Sequence, residues 1–147
     1  MTGLVVVVDA DETERRSVAT ALAADGLDLV QVESLVEGLV QAVNTEPALI
    51  IIAEGPGPIR MDEVLPVYRR VTRAPLLVIG DGGDPGEDVL LDRGADFFLP
   101  RPFRPSELAV RARVLIQRGQ GPRREPRDFP AGSQQSLSSD RPVNEAA

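Results

Sequence analysis

Five short strand-like runs, separated by longer stretches of helical periodicity, leave few folds open to this chain. They fall at residues 4–8, 27–32, 49–53, 76–79 and 96–99. The middle one matters most. Pro47-Ala48-Leu49-Ile50-Ile51-Ile52-Ala53-Glu54-Gly55-Pro56-Gly57-Pro58 is continuously apolar up to Ala53 and bounded by Pro and Gly. Such a run reads as a strand buried on both faces, hence at the middle of a parallel sheet. Alternation of strands and helices implies right-handed βαβ crossovers, so the expected class is α/β with a doubly wound, five-stranded parallel sheet. Sites in such sheets lie in the crevice beyond the strands' carboxyl ends, which directs attention to Ala53 and Glu54.

The intervening segments carry helix start and stop signals. Asp11 with Glu14, and Ser34 with Glu37, have capping-box spacing. Val18, Ala21 and Leu22 mark the buried stripe of a first helix that Gly26 ends; Leu35, Leu39, Val40 and Val43 mark a second. A third helix is expected over 61–72. Pro66 inside it would cost about 3 kcal/mol in a regular interior, so the helix is expected to start late or bend there. Asp84-Pro85-Gly86-Glu87 reads as N-cap, first-turn Pro and capping acid of a short fourth helix. Pro105-Ser106-Glu107 opens a fifth, with Leu108, Ala112, Leu115 and Ile116 on its apolar side.

Residue types missing from the chain narrow the chemistry. Histidine and cysteine are absent, and all 16 basic side chains are arginine. This excludes imidazole or thiolate nucleophiles and metal sites, Schiff-base lysines and the P-loop lysine. Carboxylates, arginines, hydroxyls and backbone remain, suited to binding a hard cation or a phosphate. A net charge of −7 opposes a nucleic-acid surface or attraction to an anionic membrane. The opening residues lack a basic stretch before their apolar run, so a cytoplasmic protein is expected. Two regions follow: a folded domain over 1–118, and a disordered tail over 119–147 rich in Gly, Pro, Arg, Gln and Ser.

Three segments carry a resemblance to a known family. They are Val8-Asp9-Ala10-Asp11-Glu12 after the first strand, residues 47–53, and Gly94-Ala95-Asp96-Phe97-Phe98-Leu99-Pro100-Arg101-Pro102-Phe103. Their order and spacing resemble the receiver (CheY-like) domain of bacterial response regulators, over about residues 4–118. The resemblance implies a flavodoxin-like fold and phosphoryl transfer from a histidine kinase to an aspartate ending the third strand. An acidic pair with a divalent cation, a lysine, a switch hydroxyl and an aromatic support that transfer.

Residue by residue, the carry-over is incomplete. The phosphoacceptor position falls on Ala53, with Glu54 as the alternative register: the proline that family members usually carry four residues on fits Glu54 (Pro58) rather than Ala53 (Gly57). A one-residue slip would turn the side chain to the other face. The acidic pocket reads Asp9, Ala10 and Asp11. The switch hydroxyl position is Gly80, the aromatic is Phe98, and the lysine is replaced by Arg101, expected to pair with Asp9 or Glu54. Arg101–Pro102 is a candidate cis bond.

The expectation is therefore a degenerate receiver, or pseudo-receiver, lacking the phosphoacceptor aspartate. It would serve signal transduction as a phosphorylation-independent protein-interaction module and not as an enzyme. The alternative is a two-state switch with Glu54 as built-in phosphomimic, or with a bound ligand in place of phosphate. No cofactor is expected; Asp9, Asp11, Glu54 and Asp81 are weak candidates for an Mg2+ site, and capping is the plainer role for Asp9 and Asp11. The expected partner is a signalling protein, without direct nucleic-acid or membrane contact. A homodimer through the fourth helix, fifth strand and fifth helix would use Asp96, Glu107, Arg111 and Arg113, which could equally be a solvated charged face.

Overall fold

The structure, a computed structural model, describes residues 3–119. Ten elements alternate strictly: β1 (Leu4–Val8), α1 (Glu12–Ala23), β2 (Asp28–Val32), α2 (Leu35–Asn44), β3 (Leu49–Ala53), α3 (Met61–Val71), β4 (Leu76–Gly80), α4 (Glu87–Asp92), β5 (Phe97–Pro100) and α5 (Pro105–Gly119). All strand pairs are parallel and their order is β2-β1-β3-β4-β5. The expected doubly wound sheet is therefore present. The tail expected over 119–147 lies outside the described residues except for Gly119, which closes α5.

The strand sequences explain the layering. Every residue of β3 and β4 is buried. Alternate side chains feed two cores. Val5, Val7, Ile51, Ala53, Ile79 and Leu99 share one with Val18 and Leu22 of α1 and Leu108 and Ala112 of α5. Val6, Val8, Ile50, Ile52, Val78 and Phe98 share the other with Leu65 and Tyr68 of α3 and Leu90 of α4. Each fully buried aliphatic or aromatic side chain contributes roughly 1.5–3 kcal/mol relative to exposure, so the apolar runs drive the sheet together.

Several local expectations change in the structure. Helix α3 begins at Met61 and runs through Pro66 without a late start. The proline sits in its second turn, where only the Asp62 carbonyl loses its i+4 donor, and a buried face of Met61, Val64, Leu65, Tyr68 and Arg69 outweighs that loss. Helix α4 is capped by Gly86; Asp84 and Pro85 precede the helix, joined by a cis peptide bond. They form a turn and not the first helical residues. The Ser34–Glu37 box forms, with Glu37 N donating to Ser34 Oγ and Ser34 Oγ donating to Glu37 Oε1. Asp11 caps α1 by accepting from the N–H groups of Thr13 and Glu14. Glu14 does not reach back to complete that box, for a reason that emerges at the strand ends. Among the described residues no helix is long and apolar enough to cross a membrane.

Gly38, in the middle of α2, allows the helix to sit tightly on the sheet and on α3. A Cβ there would overlap the Tyr68 hydroxyl and a Val8 methyl. The Tyr68 hydroxyl, buried and thereby pushed above its usual pKa, donates to the Leu35 carbonyl at 2.6 Å. Gly38→Ala, worth about 1 kcal/mol in helix propensity, is expected to destabilise by roughly 1–3 kcal/mol through overpacking. Tyr68→Phe is expected to cost about 0.5–1.5 kcal/mol. Urea titrations of the two variants check both signs; a stabilising Gly38→Ala would show that the helix can shift freely.

Candidate functional site

The loops at the carboxyl ends of β1, β3, β4 and β5 surround a cleft of about 480 Å³ lined by Asp9, Ala10, Asp11, Glu54, Asp81 and Arg101, among others. Strand register sets which side chains meet. Ala53 has the parity of Ile51, so its buried methyl joins the core beneath α1 and α5. Asp9 follows the parity of Val5 and Val7, and Arg101 that of Leu99, so both belong to this same side. Glu54 has the opposite parity. Strand β3 runs from Leu49 to Ala53 without an inserted residue, and Glu54 N–H donates to the Ile79 carbonyl at 2.7 Å.

Arg101 does not pair as expected. Its Nε and Nη2 donate to the two carboxylate oxygens of Glu14 at 2.8 and 2.9 Å, a bidentate pair. Nη2 also donates to the Glu54 carbonyl at 2.7 Å, and Nη1 to Asp81 Oδ1 at 3.4 Å. Neither the Asp9 carboxylate nor that of Glu54 is its hydrogen-bond partner. The correction follows from geometry: the planar fork of Arg reaches across to α1, whereas Glu54 offers only its backbone. Arg101–Pro102 is cis, as expected.

Glu14 is the site residue that sequence reasoning missed. Its capping-box spacing supplied a sufficient explanation, but its position one turn before Val18 places it on the buried stripe of α1, where a carboxylate needs a partner. Arg101 holds that carboxyl below its ordinary range, and Glu14 in turn keeps the guanidinium charged.

Asp9 is almost fully buried. Its Oδ1 accepts from Asp11 N–H at 2.9 Å, and its carbonyl accepts from Arg15 Nη1 at 2.9 Å. Its Oδ2 receives no donor, and its carboxyl interacts with that of Glu14. Burial, then the carboxyl–carboxyl contact with Glu14, push Asp9 up to about 7. A proton on Asp9 turns that contact into a hydrogen bond, which is lost as pH rises through about 7 and leaves two carboxylates beside Arg101.

Glu54 lies on the other side of the strand ends. A Cβ on Gly80 would overlap the Glu54 carboxylate and come within 2.9 Å of the Phe98 ring. The glycine thus makes room for the carboxylate beside the buried aromatic. Burial raises the Glu54 pKa, opposed by the Asp81 backbone N–H.

The residues present do not assemble a divalent-cation site. Asp11 is spent on the α1 cap, Glu54 is turned to Gly80, Asp81 meets Arg101, and position 10 offers a methyl. Among the described residues no group of three acidic side chains could hold a metal ion.

The charged face expected for a dimer is largely engaged within the chain. Asp96 accepts from Leu76 N–H at 2.8 Å and lies 3.7 Å from the buried Arg69, with its side chain 7% exposed. Arg113 pairs with Asp25 at 2.8 Å, joining α5 to the end of α1. Arg111 lies over the Phe97 ring, 4.7 Å from its centroid, and Glu107 is exposed. Asp96 is therefore corrected from an interface residue to a buried acceptor that starts β4.

Comparison with known proteins agrees with the fold. No protein-family model matches the chain. It is 32% identical over 115 residues to the KDP operon transcriptional regulatory protein KdpE of Escherichia coli, covering 78% of this chain and 51% of that protein. It is 33% identical over 120 residues to response regulator MprA of Mycobacterium sp. strain KMS, covering 78% and 50%. The chain thus spans about half the length of the curated relatives it matches. A response regulator receiver domain protein (CheY-like) of Methanospirillum hungatei superposes with TM-score 0.73 at 17% identity, over 80% of this chain and 96% of that one.

The proton shared by Asp9 and Glu14 sets a pH dependence. Asp9 has a raised pKa in the folded state, so its contribution is full below about pH 4 and lost as pH rises through about 7. Glu14 acts oppositely, its contribution being lost only as pH falls through its lowered value. Stability is therefore expected to decline from about pH 5 to about pH 8. Asp9→Asn keeps the acceptor for Asp11 N–H and adds a donor toward Glu14; it is expected to flatten this decline and stabilise the chain at pH 8 by about 1–3 kcal/mol. Thermal melts across this range check it, and an unchanged slope in the variant would place the titration elsewhere.

Proposed function

From a domain with the receiver (CheY-like) fold, we propose a module of two-component signalling that acts through protein contacts without phosphoryl transfer. The observation that carries this reading is the bidentate Glu14–Arg101 pair, on the side of the sheet to which the Ala53 methyl also belongs. The family resemblance expects at this point an acyl-phosphate acceptor and a basic residue free to meet the incoming phosphate. Ala53 has no oxygen to form the phosphoryl bond. The arginine's donors already face Glu14, the Glu54 carbonyl and Asp81. An internal carboxylate thus supplies the negative charge that a phosphoryl group would bring, and the strand ends are held in one arrangement.

Glu14 and Arg101 are largely buried, with side-chain exposures of 17% and 23%, so their pair is more than a screened surface contact. On this reading Glu14 replaces the anion, Asp9 tunes it, and Ala10 and Gly80 mark chemistry the module no longer performs. The output passes to a signalling protein through the helical surface. KdpE, as a transcriptional regulatory protein, and MprA, as a response regulator, support two-component signalling as the setting.

A second reading has its own observation. The Glu54 carboxylate lies over Gly80 beside Phe98, the positions that the resemblance assigns to the switch hydroxyl and aromatic. Here Glu54 would be the built-in charge and Phe98 the element it biases. Under this reading Glu54→Gln changes partner binding, whereas under the first Glu14→Gln does.

The test is amide spectroscopy of the full chain with beryllofluoride and Mg2+, or with acetyl phosphate. No specific shifts are expected at Asp9, Ala53, Gly80 or Arg101; saturable shifts there would overturn the reading. Glu14→Gln is expected to lower stability by roughly 1.5–3 kcal/mol, since it removes one side of a charged hydrogen-bonded pair, as denaturant melts would show.

A further inference from the structure

Among the described residues, the large hydrophobic side chains with substantial exposure are Val36, Val40, Val43, Ile59, Val67, Val71 and Val110. All but Val110 lie on α2, on α3 or on the loop just before α3. Val36, Val40 and Val43 follow i, i+4, i+7 spacing and form one strip along α2, with Val36 61% and Val43 60% exposed. Val67 and Val71, at i and i+4, form a second strip on α3. The two helices pack together where the Tyr68 hydroxyl reaches Leu35 over Gly38.

Members of the strips line cavities at both ends of the α2–α3 pair, and we take the seam between them as one groove. Val36 and Ile59 line one cavity at the strand carboxyl ends, and Val43 and Val71 line another at the opposite end. A soluble monomer rarely leaves an apolar surface of this continuity open to water. At the strand carboxyl ends this surface adjoins the candidate site, since Asp9, Ala10 and Glu54 line the same cavity as Val36 and Ile59; at the other end Val43 and Val71 line a cavity that shares no residue with it.

Charge along the groove indicates the occupant. Its end near the helix N-termini carries the exposed acids Glu33, Glu37 and Glu63; the one arginine there, Arg60, pairs with Asp62 and Asp84, and Glu33 lies 4.0 Å from Arg15 with its own side chain 75% exposed. Its end near the α3 C-terminus carries the exposed Arg70 and Arg73, against the single acid Glu46. Neither arginine makes an ion pair among the described residues. A two-fold axis across the groove would set the valine strips of two copies together and bring each acidic end onto the partner's basic end. A parallel arrangement would set like charges together.

We propose that the α2–α3 groove is an isologous interface for a second copy of this chain, with the two α2–α3 pairs antiparallel. This places self-association on a different face from α4–β5–α5. It stands independently of the reading of the Glu14–Arg101 site.

Sedimentation equilibrium of the full chain, at low and high ionic strength, tests the proposal. A reversible monomer–dimer equilibrium that weakens with salt is expected. Val40→Glu should raise the dissociation constant about tenfold or more while leaving the circular dichroism melt in place. Glu33→Arg and Arg70→Glu should each weaken the dimer, and the double variant should recover it, because each copy then presents both reversed charges; this arm stands even if Val40→Glu misfolds. A full chain that stays monomeric up to its solubility overturns the proposal. So does a dimer unaffected by both Val40→Glu and the charge reversals, which would sit on another face. Isotope-filtered NOEs from the Val36, Val40 and Val43 methyls to residues 120–147 of the same monomer would assign the groove to the chain's own C-terminal segment, and equally overturn it.

Discussion

The Arg101 guanidinium joins more of the structure's functional end than any other group. It leaves β5, grips Glu14 of α1 with two donors, holds the carbonyl that ends the β3 turn, and meets Asp81 beyond β4. Asp9, just after β1, completes the cluster with a buried carboxyl beside that of Glu14. The strand ends of the doubly wound sheet converge through topology alone. Arg101 then holds them in one arrangement, because its planar fork can serve acceptors from several segments at once. Lysine, a single compact ammonium, could not satisfy that geometry.

Small residues define the two sides of this cluster. Ala53 leaves the α1 side without an oxygen, and Glu14 brings one in from the helix. Gly80 leaves the other side without a side chain, and the Glu54 carboxylate moves into the space beside Phe98. A carboxylate from a neighbouring position stands near each small residue, so the cleft is lined by negative charge on both sides. Gly38 repeats the principle on a helix: the missing Cβ is where the Tyr68 hydroxyl passes to reach Leu35. That contact joins α2 to α3, whose Val43 and Val71 line a common cavity.

Much of the architecture is legible in the sequence. Continuous apolar runs at the third and fourth strands required burial on both faces, and the helical stripes between them required crossovers. The misreadings were local. Asp84 and Pro85 matched a helix start in composition, but the chain turns there and Gly86 takes the cap. Asp96 looked like an exposed acid beside a strand, yet its carboxylate accepts from Leu76 N–H and meets Arg69. Glu14 was read through its nearest neighbours in sequence, though its partner lies on the far side of the sheet's end.

The sequence by itself determined the element order, the parallel sheet, the caps at Asp11 and Ser34, and the absence of an oxygen on the Ala53 side chain. These follow from periodicity, propensity and side-chain chemistry, which act over a few residues. The tertiary structure alone decided which carboxylate meets Arg101, which face Glu54 takes, and that valines of α2 and α3 line a common cavity. Those outcomes depend on strand parity and on the reach of long side chains across chain-distant elements. Local pattern carries no record of them, since a carboxylate selects its partner by position in space.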